Sequence, residues 1–279
     1  MSGQGSALLT SLITAKDEEV HIARCVKSAV PLGPVIVVDA ESGDRTADVA
    51  RTSGASVVVH PWEGYAAQKN WALANLPIET EWVLFLDADE RLTDPSRSEI
   101  REAVSRADAN GYYIARENIV LGRRLRYAWW YPDYQMRVFR KGCARYEDRL
   151  VHEHVIVDGQ ADYLREPLIH ENLKGVDAWM QRHIRYARLE AEEMRKASRE
   201  QSNGSVKASF RGSRAEKRRA LKTRVWYRLP MRPAIRFFWM YFVKRGFLDG
   251  RAGLAYCELV AAYEALIDAN LLELEQAEQ

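Results

Sequence analysis

Cysteine is scarce in this chain: Cys25, Cys143 and Cys257 are odd in number, far apart and without metal-ligand spacing. Such placement supports neither a disulfide framework nor a zinc site, and the expected compartment is a reducing one, the cytosol. Long apolar runs are missing too. Met1 to Thr14 has no basic leader followed by an extended apolar core, so it reads as a first strand rather than a signal peptide. The longest late apolar stretch, Leu254 to Leu272, is interrupted by Glu258, Glu264 and Asp268. Three acids in such a stretch exclude a comfortable membrane span. Internal repeats, extended low-complexity segments and a glycine-rich phosphate loop after the first strand are also absent.

What is there suffices for a substantial core. The 279 residues are 47% hydrophobic and 29% charged, which excludes wholesale disorder and fits one large domain, with or without an appendage. A formal charge of +2 conceals an asymmetry. Arg195 to Arg251 holds 17 Lys or Arg against three acids, a local charge of +14, whereas the remainder holds 24 bases against 36 acids. One segment therefore suits an anionic surface and the rest does not.

Strand and helix patterns alternate through the first half. Ala7 to Ile13 reads as a buried strand and Glu18 to Ser28 as the helix after it. Val35 to Val38 is a β-branched run of the kind found in parallel strands covered on both faces. A polar loop from Asp39 leads to a helix through Ala50, followed by strand Ser56 to Val59, helix Tyr65 to Leu76 and strand Trp82 to Leu86. This alternation predicts a doubly wound, mainly parallel α/β sheet, whose ligands bind beyond the carboxyl ends of the strands. Further on, Ser98 to Ala107 reads as a helix and Gly111 to Arg116 as a strand. Arg123 to Phe139 is aromatic and basic. Val151 to Val157 and Pro167 to His170 read as strands, Val176 to Arg199 as a long amphipathic helix, and Gln201 to Gly212 as a linker.

The most informative stretch is Phe85-Leu86-Asp87-Ala88-Asp89-Glu90, an apolar strand that ends in three carboxylates within four residues. Carboxylates this crowded repel one another unless a cation sits among them. A hard divalent ion, Mg²⁺ or Mn²⁺, takes oxygen ligands and keeps open positions for the oxygens of a diphosphate. A lone Asp-x-Asp is more often a solvated loop, so its neighbours decide.

Ser11 to Glu18, Val37 to Thr46 and Asp87-Ala88-Asp89-Glu90 together resemble the first-strand, second-strand and metal motifs of the family 2 glycosyltransferases of GT-A fold. These enzymes move a sugar from a nucleotide donor with inversion. Arg137-Val138-Phe139-Arg140, Val151-His152-Glu153 and above all Arg245 to Gly253 narrow the resemblance to the bacterial lipopolysaccharide-core β-glucosyltransferases, over almost the whole chain. The resemblance implies that Thr14 and Glu18 line the nucleoside pocket, that Asp39 accepts hydrogen bonds from base or ribose, and that Lys69 offsets diphosphate charge. It implies Asp87 and Asp89 as donor and metal residues, with Asp89 the direct ligand. Asp39 could instead cap the following helix, and Lys69 could lie on a solvated face.

Inversion needs a general base to take the acceptor's proton, and two carboxylates compete for that role: Glu153 first and Asp148 second. Either could be an ordinary loop acid paired with Arg145 or Arg149. His152, His154 and His170 read mainly as structural; His170, at a strand end, could complete the metal's shell. Trp129-Trp130-Tyr131 suits stacking on acceptor sugars or core packing equally.

Arg211 to Lys222 is densely cationic, and Trp226, Phe237, Phe238, Trp239, Tyr241 and Phe242 follow among Arg228, Arg232, Arg236, Lys244 and Arg245. Rings interleaved with cations suit a helix in the headgroup region of an anionic bilayer. No nucleic-acid-binding motif accompanies the charge. The expected organisation is a GT-A, Rossmann-like catalytic domain over residues 1–175 and a helical, basic, membrane-associating region over 176–279. The expected activity is transfer of glucose from UDP-glucose to a lipid-linked saccharide such as lipopolysaccharide inner core, at the inner face of a bacterial cytoplasmic membrane. The alternatives are a sugar-phosphate nucleotidyltransferase, against which the missing glycine-rich loop counts, and a non-catalytic membrane-bound scaffold.

Overall fold

A computed structural model describes residues 8–129, 131–147, 154–202 and 229–277. The chain divides into two compact units, one of residues 1–126 and 130–174, the other of residues 127–129 and 175–279.

The first unit is built on strands whose side chains are apolar on both faces. Its elements are β1 (Leu9–Ala15), α1 (Ile22–Ala29), β2 (Val35–Asp39), α2 (Thr46–Thr52), β3 (Ser56–Val59), α3 (Tyr65–Asn75), β4 (Trp82–Asp87), β5 (Glu90–Arg91), α4 (Asp94–Arg106) and β6 (Gly111–Val120). They are followed by β7 (Arg123–Arg124), β8 (Asp133–Arg140), β9 (Ala144–Tyr146), β10 (Val155–Val157), β11 (Ala161–Tyr163) and β12 (Leu168–Glu171). The main sheet runs β3-β2-β1-β4-β8-β6-β12-β5. Strands β1 to β4 are mutually parallel, β8 enters antiparallel between β4 and β6, and β12 runs parallel to β6. A parallel sheet must bury both faces, and here alternate residues do so. Leu84 and Leu86 of β4 join a cluster with Ile22, Cys25 and Ile100 from α1 and α4. Val83 and Phe85 join Ala66 and Ala72 of α3 on the other face. Each such fully buried large side chain contributes about 1.5–3 kcal/mol.

Local chemistry sets the boundaries. Helix α4 begins at Asp94, four residues earlier than the apolar pattern predicts, because Thr93 Oγ1 accepts from Ser96 N while Ser96 Oγ accepts from Thr93 N. That reciprocal cap satisfies two amide donors which the hydrophobic pattern does not register. Strand β6 runs on to Val120, and β8 occupies part of the aromatic, basic stretch to which the pattern assigned no element. Of the strand predicted over 151–157, residues 155–157 are strand and 151–153 lie outside the described residues, as does most of the predicted linker.

The second unit is helical. It comprises α5 (Gly175–Ser202), α6 (Arg232–Phe238), a π-helical turn at Trp239–Val243, a 3-10 turn at Gly246–Asp249 and α7 (Gly250–Gln276). Ala187 and Met194 of α5 pack with Ile267 of α7. No helix among the described residues is long and apolar enough to cross a membrane.

Two expectations change here. Arg232 and Arg236, read from the sequence as headgroup-facing cations, turn inward: Arg232 is buried against Asp268, and Arg236 donates to Glu264 Oε1 at 2.6 Å. The Arg245 to Gly253 block, in turn, has a structural core. Asp249 accepts from Tyr127 N at 2.9 Å and Ala128 N at 2.8 Å, and Trp129 stacks on Tyr256 at 4.9 Å. This favours packing over sugar stacking for Trp129, while Trp130 lies outside the described residues.

Candidate active site

The ends of the parallel strands carry the polar residues. Register pairs Thr14 of β1 with both Val38 of β2 and Asp87 of β4, and pairs Ala15 with Asp39, so these positions lie along one edge of the sheet. Asp87 closes β4, and Ala88-Asp89 form the turn into β5.

The cation demanded by three crowded acids comes in large part from the protein. Lys69 of α3 donates to Asp87 Oδ1 at 3.1 Å, and Arg137 of β8 donates from one nitrogen to Asp87 Oδ2 at 2.5 Å and Glu90 Oε1 at 2.6 Å. Both cations are buried. Lys69 Nζ also sits over the Tyr146 ring, 5.1 Å from its centroid. Glu90 further accepts from Asp87 N at 3.1 Å, and Arg116 lies 3.8 Å away, itself held by Asp133 at 2.6 Å. Burial alone would raise the Asp87 carboxyl, but Arg137, then Lys69 and Arg116, hold it well below the usual carboxylate range. Burial does raise Glu90, with Arg137 opposing it and the charge on Asp87 adding to it.

Asp89 has a different neighbour. Strand β12 pairs with β5 on one side and β6 on the other, setting His170 opposite Glu90 and Asn118. Glu171 N donates to Asp89 O at 3.0 Å, which fixes the turn beside β12. His170 Nε2 then lies 3.3 Å from Asp89 Oδ2, while His170 Nδ1 bonds to Asn118 Oδ1 at 2.7 Å. Since an amide oxygen only accepts, Nδ1 is the donor of that bond, which leaves Nε2 directed at Asp89 Oδ2. Among the described residues no three His, Cys, Asp or Glu side chains converge as a complete metal shell. Asp89 and His170 offer one oxygen donor and one nitrogen donor. A carboxylate with an imidazole fits Mn²⁺ and leaves positions for diphosphate oxygens.

The remaining predicted residues separate. Asp39 accepts from Ser42 N at 3.1 Å and Ser42 Oγ at 2.5 Å, so it ties down its own loop; Asp44, which accepts from Thr46 N at 2.9 Å, serves the start of α2 instead. Glu18 bonds to His21 Nδ1 at 2.5 Å and to Lys174 at 2.6 Å, and His21 Nε2 accepts from Leu173 N. Glu153 and Asp148 lie outside the described residues. Arg137 and Asn118 were given no individual role from the sequence, and Glu90 was read only as part of the acidic run; the available signal for Arg137 was its place inside an apolar strand, Met136-Arg137-Val138-Phe139.

The chain belongs to glycosyl transferase family 2: the family profile matches residues 10–169, more than half of its 279 residues. It is a glycosyltransferase, not a nucleotidyltransferase. The lipopolysaccharide core biosynthesis glycosyltransferase LpsC of Rhizobium meliloti is 25% identical, over 91% of this chain and 90% of the relative. An uncharacterized glycosyltransferase of Rickettsia typhi, RT0209, is 43% identical over 93 residues, about a third of each chain. Among solved structures, Staphylococcus aureus TarS with UDP-GlcNAc aligns over 94% of this chain and 83% of that one, at 13% identity and a TM-score of 0.46. Mycobacterium tuberculosis glucosyl-3-phosphoglycerate synthase with Mn²⁺ and UDP aligns over 41% and 45%, at 22% identity and a TM-score of 0.33.

Proposed function

We propose that this glycosyltransferase moves a sugar, glucose from UDP-glucose as the leading candidate, onto a lipid-linked saccharide of the lipopolysaccharide inner-core type, with inversion. The observation that carries the reading is the pairing of Asp89 with His170 beside a neutralised Asp87. The full-length similarity to LpsC supports the class of acceptor.

Each residue then has a task. Asp89 and His170 hold Mn²⁺ or Mg²⁺, and Asn118 keeps His170 in the tautomer that can ligate. The ion supplies charge stabilisation to a departing nucleoside diphosphate. Asp87, fixed from both sides by Lys69 and Arg137, faces the donor as a rigid hydrogen-bond acceptor rather than as a ligand. Thr14, Glu18 and Asp39 border the nucleoside along the same sheet edge. The general base is Glu153, with Asp148 as the competing carboxylate. Residues 1–175 form the catalytic domain, and residues 176–279 attach it peripherally to the anionic inner face of the cytoplasmic membrane, where a lipid-linked acceptor resides.

A nucleotide-release assay tests this. UDP-, GDP- and dTDP-sugars are supplied with membrane extract as acceptor, in Mn²⁺, Mg²⁺ or chelator. Release from UDP-glucose that needs both metal and acceptor, and is lost in Asp89→Ala, is the expected result. Metal-independent release, or an Asp89→Ala variant as active as the parent, overturns the metal role. UDP binding without turnover on any acceptor supports the non-catalytic scaffold.

A further inference from the structure

Helix α6 and the turn after it reverse the usual pattern of a protein surface. Along i, i+4, i+8 lie Arg232 and Met240, both buried, and Arg236, half-buried; the two arginines pair with Asp268 and Glu264 of α7. The opposite face leaves Phe238 58% exposed, Trp239 45% and Phe242 51%. A helix in water normally does the reverse. A π-helical turn at Trp239–Val243 carries Trp239 and Phe242, a geometry frequent at functional sites.

The Arg245 to Gly253 block continues the same surface. Gly246 and Asp249 are buried, and a Cβ on Gly253 would lie 2.3 Å from Gly246 O, so these three positions serve packing. Phe247 and Leu248, between them, are 45% and 48% exposed. The rings are linked, with Phe238 5.2 Å from Phe242, Phe242 5.1 Å from Tyr241, and Tyr241 6.2 Å from Phe247. Contiguous apolar exposure of this kind marks an interaction surface.

Charge identifies the partner. Arg245 and Arg251 are exposed beside these rings, and the segment from Arg195 to Arg251 carries 17 cations against three acids. Aromatic rings bordered by cations match the boundary between anionic headgroups and acyl chains. We propose that the Phe238–Trp239–Phe242 face, together with Phe247 and Leu248, inserts into the headgroup boundary of an anionic phospholipid bilayer, with the Arg232–Asp268 and Arg236–Glu264 pairs clamping the inserted element to α7. This rests on the reading of a lipid-linked acceptor, and it assigns the attachment to one defined surface of the second unit.

The test is co-sedimentation of the full chain with vesicles of phosphatidylglycerol and phosphatidylethanolamine, against phosphatidylcholine, at low salt and at about 0.5 M salt, which screens charge attraction. The parent is expected to bind the anionic vesicles and to retain part of that binding at high salt. Phe238→Ser/Phe242→Ser and Phe247→Ser/Leu248→Ser should each lose about ten-fold or more in partitioning, with unchanged thermal melting and unchanged nucleotide release on a detergent-dispersed acceptor. In parallel, brominated-lipid quenching of the parent's tryptophan fluorescence should fall in Trp239→Phe, a change mild enough to preserve the fold. Serine variants that bind like the parent, or quenching indifferent to Trp239→Phe, overturn the proposal. A parent dimer that the serine variants dissolve would overturn it in favour of a second copy as occupant. Vesicle binding as expected, with no nucleotide release on any acceptor, would refute the catalytic reading and leave the insertion surface standing.

Discussion

Arg137 Nη2 lies 2.5 Å from Asp87 Oδ2, and the same nitrogen lies 2.6 Å from Glu90 Oε1. One buried guanidinium thus balances two acids at the end of the central strand, and Lys69 covers the far side of Asp87. Removing one partner from such a cluster strands a charge, which costs more than the pair itself contributes.

Arg137→Met is therefore expected to destabilise the fold by about 3–5 kcal/mol in chemical denaturation. Replacing Glu90 by Gln in the same background should recover part of the loss, because one uncompensated acid disappears. A variant as stable as the parent would show that the guanidinium is not what balances Asp87 and Glu90.

Asn118→Ala tests the orientation of His170. Buried Asn118 touches only the ring nitrogen remote from Asp89, so its effect on a metal is indirect. Calorimetric titration with Mn²⁺ in the presence of UDP should show affinity reduced by about 10–100-fold. Unchanged affinity would remove His170 from the ligand set.

Asp249→Ala removes the acceptor for Tyr127 N and Ala128 N. Hydrogen bonds to a charged group contribute about 1.5–3 kcal/mol, and a loss of that order is expected in thermal or urea unfolding. Gly253→Ala meets a backbone oxygen, which cannot swing aside like a side chain, and should cost roughly 1–3 kcal/mol. If both variants melt like the parent, the Arg245 to Gly253 block is not the structural lock described above.

Tyr112 supplies a pH signature. Its hydroxyl donates to Asp108 at 2.6 Å and lies 2.9 Å from Ala103 O; burial first, then the bond to Asp108, pushes the phenol up to about 12. An unfolded tyrosine ionises near 10, so Tyr112 contributes its full stability below about pH 10 and loses it progressively as pH rises toward 12. Tyr112→Phe is expected to be about 0.5–1.5 kcal/mol less stable at neutral pH and to lose less stability across that alkaline window. Parallel alkaline denaturation curves for the two proteins would contradict the assignment.

The parallel half of the sheet was legible because β1, β2 and β4 are apolar or β-branched on both faces, a pattern few other structures tolerate. The acids ending β4 were legible for the same reason, since a buried strand must end in something polar. Strand β8 was obscured because Arg137 reads as a surface residue until its partners, 47 and 50 positions earlier in the chain, are brought beside it. Asp39 was read toward helix or ligand, and its actual partner is a serine three residues away. In the second unit the density of rings was evident, but not the direction of Arg232 and Arg236. Their carboxylates lie 36 and 28 residues downstream, beyond any local pattern.

The distance of Arg137 from its acids along the chain bears on how the protein is made. Synthesis delivers β1 through β4 and the acids at their end well before residue 137 leaves the ribosome, so the nascent sheet first meets Asp87 and Glu90 without their guanidinium. The Glu90 carboxylate gains its buried partner only once β8 slots in beside β4, so the completion of this end of the sheet waits until about half of the 279 residues have been made.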